Sequence, residues 1–382
     1  MTHSLTFDAI SEDESGPKWL ARWQRSWPAY EAWFTARGGD AGPDRAACEA
    51  ALAEHMPELL DTHAKLTRLT GGSDRAARFL SAWCPPSYLG GCSLLAAADA
   101  QSVRLVRNYD LSPDLNEGLL LRSAWTGTPV MGMVEFLWGL SDGINGHGLS
   151  VALAYGGGSE TGRGFGICLI LRYVLETCRD VPEAQAVLDR IPSHMGYNLV
   201  LADRAGRTAS VEMLPGGGTR HMPRPLATNH QHGTTAPERP AFTRTRERYD
   251  HLETLVGDRA EPIGLAKRFM ESPLFQDNYG QGFGTLFTAE YDPRAGGLTL
   301  HWPTDKWHQT LDALEEGSRT VIYDASTRAA QDWVDAIRPW IGAAADMLAA
   351  KDGTVDWVAF GMQCAQAYGG GYIPADPSKD AA

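Results

Sequence analysis

The chain has 382 residues and a formal net charge of −13, with no basic tract to neutralise phosphates, which argues against a nucleic-acid partner. With 43% hydrophobic and 21% charged residues it can bury one large core or two modest ones. Its six cysteines, at 48, 84, 92, 168, 178 and 364, show no C-x-x-C spacing, so neither a disulfide framework nor a zinc ribbon is expected. Met1 to Gly16 is polar and acidic without a secretory h-region, and no apolar run reaches the length of a membrane span. The reading is a cytoplasmic protein with reduced thiols and no membrane partner.

Residues 1 to about 91 read as helical. Trp19, Trp23, Trp27 and Tyr30 recur at near-helical spacing with Pro28 as a kink or stop, and this stripe reads as core packing. Asp44 to Leu60 is a second helical stripe broken near Pro57, and Arg75 to Trp83 a third. From Cys92 the texture changes to strands. Leu119 to Trp125 and Val130 to Phe136 are two of them. Asp142 to Leu149 reads as a turn leading into a strand over Ser150–Tyr155. Two helices follow, one carrying Ile167, Ile170, Leu171, Val174 and Leu175, the next starting near Pro182. Asn198–Ala202 and Thr208–Met213 form a hairpin, and Thr228-Asn229-His230 closes a polar connector. Glu238–Leu255 reads as a basic helix, residues 284–290 and 297–302 as a hairpin, and Ala329–Lys351 as a helix bent at Pro339. The tail from Gly369 is rich in Gly and Pro. There is no internal repeat, no G-x-G-x-x-G after a strand, and no P-loop lysine beside Gly156-Gly157-Gly158.

Chemistry concentrates around Cys92. It follows Gly90 and Gly91, and a strand over 103–107 lies across a tight turn. If that turn centres on Asp99-Ala100, Cys92 sits opposite Arg107 on one face, where a fixed cation favours the thiolate. Strand alternation puts Asp110 on the other face unless the strand ends or bulges after Tyr109. Cys48, Cys84, Cys168, Cys178 and Cys364 read as packing residues. His230 and His232 alternate on one face, but a metal would need more ligands, so a structural or pocket role is expected. Asn145 and Asn198 read as residues that fix loop geometry, Asp99 as a turn residue, and Glu212 as a hydrogen-bonding residue in the core.

Gly91-Cys92-Ser93, Arg107-Asn108-Tyr109-Asp110, Asp142 to Leu149, Asn198 to Asp203, Val211-Glu212 and Thr228-Asn229 occur in one order. That ordered set resembles the N-terminal-nucleophile hydrolases of the peptidase C45 type, within the wider choloylglycine hydrolase group. It covers roughly residues 50 to 310, and residues 43–91 resemble the prosegment helices of that family. The resemblance implies an α+β, four-layer αββα sandwich. It divides the chain into a helical N-terminal segment, 1–91, and a catalytic domain, 92–382, separated by self-cleavage at Gly91-Cys92. The freed α-amine, with a pKa of about 7.7–8, would then take the thiol proton. Gly90 and Gly91 would permit the strained backbone of an N→S acyl shift.

The family's arginine and aspartate map onto Arg107 and Asp110, and its oxyanion-binding asparagine onto Asn229. The backbone N–H near Tyr155 maps onto the second oxyanion donor, in Leu153-Ala154-Tyr155 where choloylglycine-type members have Leu-Asn-Tyr. For a further arginine, Arg244, Arg246 and Arg248 compete, with Arg248 preferred. The implied enzyme is an amidohydrolase or acyltransferase needing no cofactor or metal. Its substrate would be a small linear amide or acyl-thioester, and the two fragments would stay associated, with a homo-oligomer left open. Two alternatives stand beside this reading. One is a binding protein that kept the fold without catalysis. The other is a papain-type Cys/His hydrolase with His194 or His230 as base.

Overall fold

The computed structural model describes residues 2–88, 90–233, 243–257, 261–279 and 283–324. The helix read over Ala329–Lys351, the tail from Gly369, Cys364, and residues 238–242 of the basic helix lie outside them.

The first element corrects the helical reading of the N-terminus. β1 (Thr2–Glu12) is a strand, and it buries Leu5, Phe7 and Ala9 while Ser4, Thr6 and Asp8 are less buried. That alternation has the period of a half-buried strand. Helices begin at α1 (Pro17–Ala36), followed by α2 (Arg45–His55), α3 (Leu60–Leu69) and α4 (Asp74–Ser81). α1 runs through Pro28 without stopping. Its aromatic stripe is core: Trp23 stacks on Trp27 at 4.3 Å, and both meet Phe79 of α4.

Sixteen described strands form two sheets. β2 (Gly91–Ala98) and β3 (Val103–Leu111) make the first hairpin. β4 (Leu119–Ser123), β5 (Val130–Glu135), β6 (Gly139–Asn145) and β7 (Leu149–Tyr155) form an antiparallel meander. The meander continues, after α5 (Ile167–Thr177) and α6 (Val181–Arg190), through β8 (Tyr197–Asp203), β9 (Thr208–Met213) and β10 (Thr219–Met222). The short β11 (Leu226–Ala227) returns to β2. Then come α7 (Thr245–Gly257), α8 (Leu265–Phe269), β12 (Asp277–Asn278), β13 (Phe283–Asp292), β14 (Gly297–His301), β15 (Lys306–Thr310) and β16 (Gly317–Asp324).

The nine-stranded sheet has the order β10-β9-β8-β7-β6-β5-β4-β1-β16, and the seven-stranded sheet β11-β2-β3-β13-β14-β15 with β12 on β13. β2 and β3 face β7 and β8, so the two sheets pack on each other. α5 and α6 cover the outer face of the larger sheet, α7 and α8 that of the smaller. The fold is therefore a four-layer αββα sandwich. β1 lies inside the larger sheet, parallel to β4 and antiparallel to β16, so the segment before residue 91 is woven into the body. No helix among the described residues is long and apolar enough to cross a membrane.

Asp142 is not in a turn. β6 runs through it, and the turn comes later, at Asn145–Gly148, closed by Gly148 N donating to Asn145 O. The adjacent Gly143 serves close packing. A Cβ there would stand 2.7 Å from Leu175 of α5, and one at its cross-strand partner Gly132 would stand 2.1 Å from Asp142 O. Asn145 ties down the end of the same helix by donating to the carbonyls of Leu175 and Cys178.

Phe7 is fully buried between Phe287 and Trp302. Phe7→Ala should lower the unfolding free energy by about 3–5 kcal/mol, read as a lower denaturant midpoint at unchanged slope. A loss below about 1 kcal/mol would mean that β1 adds little to the core.

Candidate active site

Gly91 sits in regular β2, and neither it nor Gly90 has a left-handed backbone. The expected strain is absent at this position, and glycine is required for another reason. A Cβ at 91 would lie 2.4 Å from the Phe283 ring and 2.8 Å from Asp110 O. The residue is clamped between an aromatic ring and the neighbouring strand.

The β2–β3 turn closes one residue later than expected. Asp99 N donates to Ser102 O, and Asp99 Oδ1 accepts from the N–H groups of Gln101 and Ser102. Cys92 therefore pairs with Tyr109, and Arg107 with Leu94. The displacement amounts to two residues, so every side chain keeps its face. Arg107 reaches Cys92 diagonally, with Nη2 donating to Sγ at 3.2 Å. Its Nη1 donates to Asp142 Oδ2 at 2.6 Å, and Tyr291 OH donates to the other Asp142 oxygen. The guanidinium lies 4.3 Å from the Tyr109 ring, which stacks on Phe287. Cys92 is 1% exposed. Burial pushes its thiol up to about 11, against the pull of Arg107, so in the uncut chain one buried cation does not suffice to ionise it.

The other contacts of Cys92 arise because β11 stops short. Its last pair is Ala227 with Leu94, so residue 229 comes level with residue 92 where no ladder remains. The Asn229 side chain takes the ladder's place, with Oδ1 accepting from Cys92 N at 2.9 Å. Arg248, on the first turn of α7, donates through Nη1 to Cys92 O at 2.6 Å and to Ser93 Oγ at 2.8 Å. Its Nη2 donates to Asn229 Oδ1 at 2.9 Å. Two donors thus converge on Asn229 Oδ1, which fixes the carboxamide orientation, and Nδ2 donates to Tyr155 O at 3.1 Å. Tyr155 enters the site by its carbonyl. The expected donor of Asn229 is turned to that carbonyl, and its oxygen holds the nitrogen of Cys92.

β3 does not bulge after Tyr109; the register shift lies in β13, between Thr285 and Phe287. Asp110 consequently faces away from Arg107, beside Gly91, its strand partner. It accepts from Thr285 Oγ1 at 2.7 Å and lies 3.5 Å from Arg248. Cys92, Arg107, Asp110, Asn229 and Arg248 are all brought together, on both faces of β2. Arg246 is on the exposed side of α7, and Arg244 pairs with Glu247.

His194 Nδ1 contacts Gly162 O, and His230 Nδ1 lies 3.2 Å from Thr228 and Thr245 hydroxyls. Burial lowers the His230 imidazole to about 4. No histidine among the described residues hydrogen-bonds the Cys92 thiol. His232 pairs with Glu212 at 2.8 Å. Among the described residues no group of three or more His, Cys, Asp or Glu side chains gathers to hold a metal. Sequence reasoning missed Asp142, read as a turn because of its Asp-Gly step, and Thr285 and Tyr291, which have no local signal.

A thiol held near 11 should alkylate about tenfold faster for each pH unit between 8 and 10. This is measurable by mass mapping of the peptide that spans the intact Gly91-Cys92 bond, which reports only the fraction of chain still uncut. Arg107→Met should move that profile upward by about one unit or more. An unmoved profile would show that Arg107 does not act on the sulfur.

The family model described as "Acyl-coenzyme A:6-aminopenicillanic acid acyl-transferase" matches residues 98–307, more than half of the chain. A search of curated proteins returned no match. Among solved structures, a mutant of conjugated bile acid hydrolase from Clostridium perfringens is similar at 12% identity over 63% of this chain and 99% of that one, with a TM-score of 0.43. Penicillin V acylase from Agrobacterium tumefaciens is similar at 14% identity over 60% and 90%, TM-score 0.40. The Caenorhabditis elegans ortholog of N-acylethanolamine-hydrolyzing acid amidase is similar at 14% identity over 60% and 99%, TM-score 0.40. The chain belongs to the acyl-coenzyme A:6-aminopenicillanic acid acyl-transferase family.

Proposed function

We propose that Cys92 is the nucleophile, released as a new N-terminus by cleavage of the Gly91-Cys92 bond, and that it acts on a small linear amide or acyl-thioester. One observation carries this reading: Cys92 is held at three atoms by three different side chains. Its nitrogen lies on Asn229 Oδ1, its carbonyl on Arg248 and its sulfur on Arg107. A purely structural cysteine buried here would still need partners for its N–H and C=O, but not a guanidinium on its sulfur.

In the first step the thiol adds to the Gly91 carbonyl. The C–S bond forms, the C–N bond breaks, and the nitrogen takes the thiol proton to become an α-amine. Water then adds to the thioester, leaving the Gly91 carboxylate and the free thiol. The new amine, with an ordinary pKa of about 7.7–8, supplies the base that the uncut site lacks. Asn229 Oδ1 already accepts from that nitrogen, and Asp110 is the strand partner of the adjoining Gly91, so an ammonium formed there has an acceptor and a nearby carboxylate. In turnover Cys92 takes the acyl group from the donor, which leaves with a proton, and water or an amine releases it. Arg107 faces the sulfur as charge develops.

Intact mass spectrometry of the wild-type chain should give fragments 1–91 and 92–382 that co-elute under native conditions, and Cys92→Ala should give one chain inactive on a panel of small amides and acyl-thioesters. A single wild-type chain, or fragments that persist in Cys92→Ala, would overturn the proposal and favour a fold kept without catalysis.

A further inference from the structure

We infer that Asn198 is a positioning residue that sets the orientation of Asn229 and, through it, the grip on the Cys92 nitrogen; this rests on the function proposed above. Asn198 lies in β8, 2% exposed, on the sheet that faces β2. Its Nδ2 donates both hydrogens: to Thr228 O at 2.8 Å and to His230 O at 2.9 Å. These are the carbonyls on either side of Asn229.

That segment needs such a hold because it has left the sheet. β11 ends at Ala227, and residues 228–231 have no strand ladder of their own. Side chains replace it. Gln231 Nε2 donates to Tyr197 O and Met213 O, and Thr245 Oγ1 accepts from Asn229 N. Gly157, at φ +90°, packs so tightly that a Cβ would stand 2.6 Å from Asn229 O. Asn198 grips a carbonyl on each side of the Asn229 Cα, and the peptide planes there set the direction of its side chain. Asn198 also pairs across the ladder with Ala154, the neighbour of the Tyr155 whose carbonyl takes Asn229 Nδ2. The other end of the Asn198 carboxamide marks the specialisation. Its Oδ1 is buried and has no hydrogen-bond partner among the described residues. A residue serving general packing would be poorly chosen here, since a buried amide oxygen left unpaired is destabilising. The two N–H groups are what the position requires.

The experiment has two readouts. The first needs no catalysis. In the uncut Cys92→Ala chain, hydrogen exchange at the residue-92 amide reports its bond to Asn229 Oδ1. Adding Asn198→Leu should speed that exchange at least about tenfold and leave the β14 amides unchanged. The second readout is the pH profile of processing and turnover in Asn198→Asp. A neutral carboxyl can donate to one of the two carbonyls, whereas a carboxylate repels both. This variant should be at least about tenfold slower than wild type at pH 8 and approach it as pH falls through the buried carboxyl's pKa. Glu212, the strand partner of Asn198 on β9, and His230 are common to both proteins, so the ratio of the two rates isolates the new group.

Unchanged exchange in the Leu variant, or an Asp variant whose ratio to wild type does not vary with pH, would overturn the inference. Should the Leu variant fail to fold, exchange in Asn198→Asp between pH 8 and pH 5 decides the same point. Faster exchange in the variant alongside a wild type that never cleaves would sink the proposed function and leave the role of Asn198 standing.

Discussion

The site depends on one unmet requirement of the backbone. A strand buried between two others must pair every N–H and C=O, and β2 loses its second neighbour where β11 ends. At that point the fold supplies side chains in place of a strand, a carboxamide for the nitrogen of Cys92 and a guanidinium for its carbonyl. The peptide is therefore held as firmly as a ladder would hold it, by groups that can also respond to chemistry. Asn229 and Arg248 are themselves fixed from outside the strand, by Thr245, Thr243 and the loop at Gly157.

Charge is arranged around the same strand on both faces. Arg107 and Asp142 form a buried pair on the thiol side, and Arg248 and Asp110 face each other on the far side. Burying two guanidinium groups is costly, and pairs of this kind seldom add net stability. What they provide is a cation held next to a sulfur and another held on a carbonyl oxygen, neither free to relax. At the thiol burial outweighs the pull of a single cation, so in the function proposed above reactivity comes from the change of state that cleavage brings and not from resting ionisation.

Much of this is legible from residue order. The Cys92–Arg107 contact follows even from a turn placed one residue early, because an error of two in register preserves faces. Arg248 is separable from Arg246 by spacing on α7, where only the former of the two turns inward. Asp110 would need a bulge in its own strand to join Arg107. The structure puts the irregularity in the neighbouring strand and uses the opposite face, which no one-strand pattern can reveal. Asp142 is hidden by Gly143, whose glycine answers to α5 and not to a turn. The first strand escapes the sequence reading although Leu5, Phe7 and Ala9 alternate plainly, because the tryptophan helix beyond it dominates the segment.

That first strand imposes an order of events. Thr6 pairs with Thr320, and Asp8 with Leu119, so β1 has no partner on either side until distant parts of the chain exist. Contacts of such sequence separation are slow to form and leave an apolar edge waiting meanwhile. The groups that hold the Gly91-Cys92 peptide also come late, at 229 and 248. If the chain cuts itself only when those groups are in place, the β11–β2–β3 part of the smaller sheet and the β1–β4 pair have by then had all their residues. The scission would act as a timer that reads folding, breaking the backbone only after the pieces no longer need it to find each other.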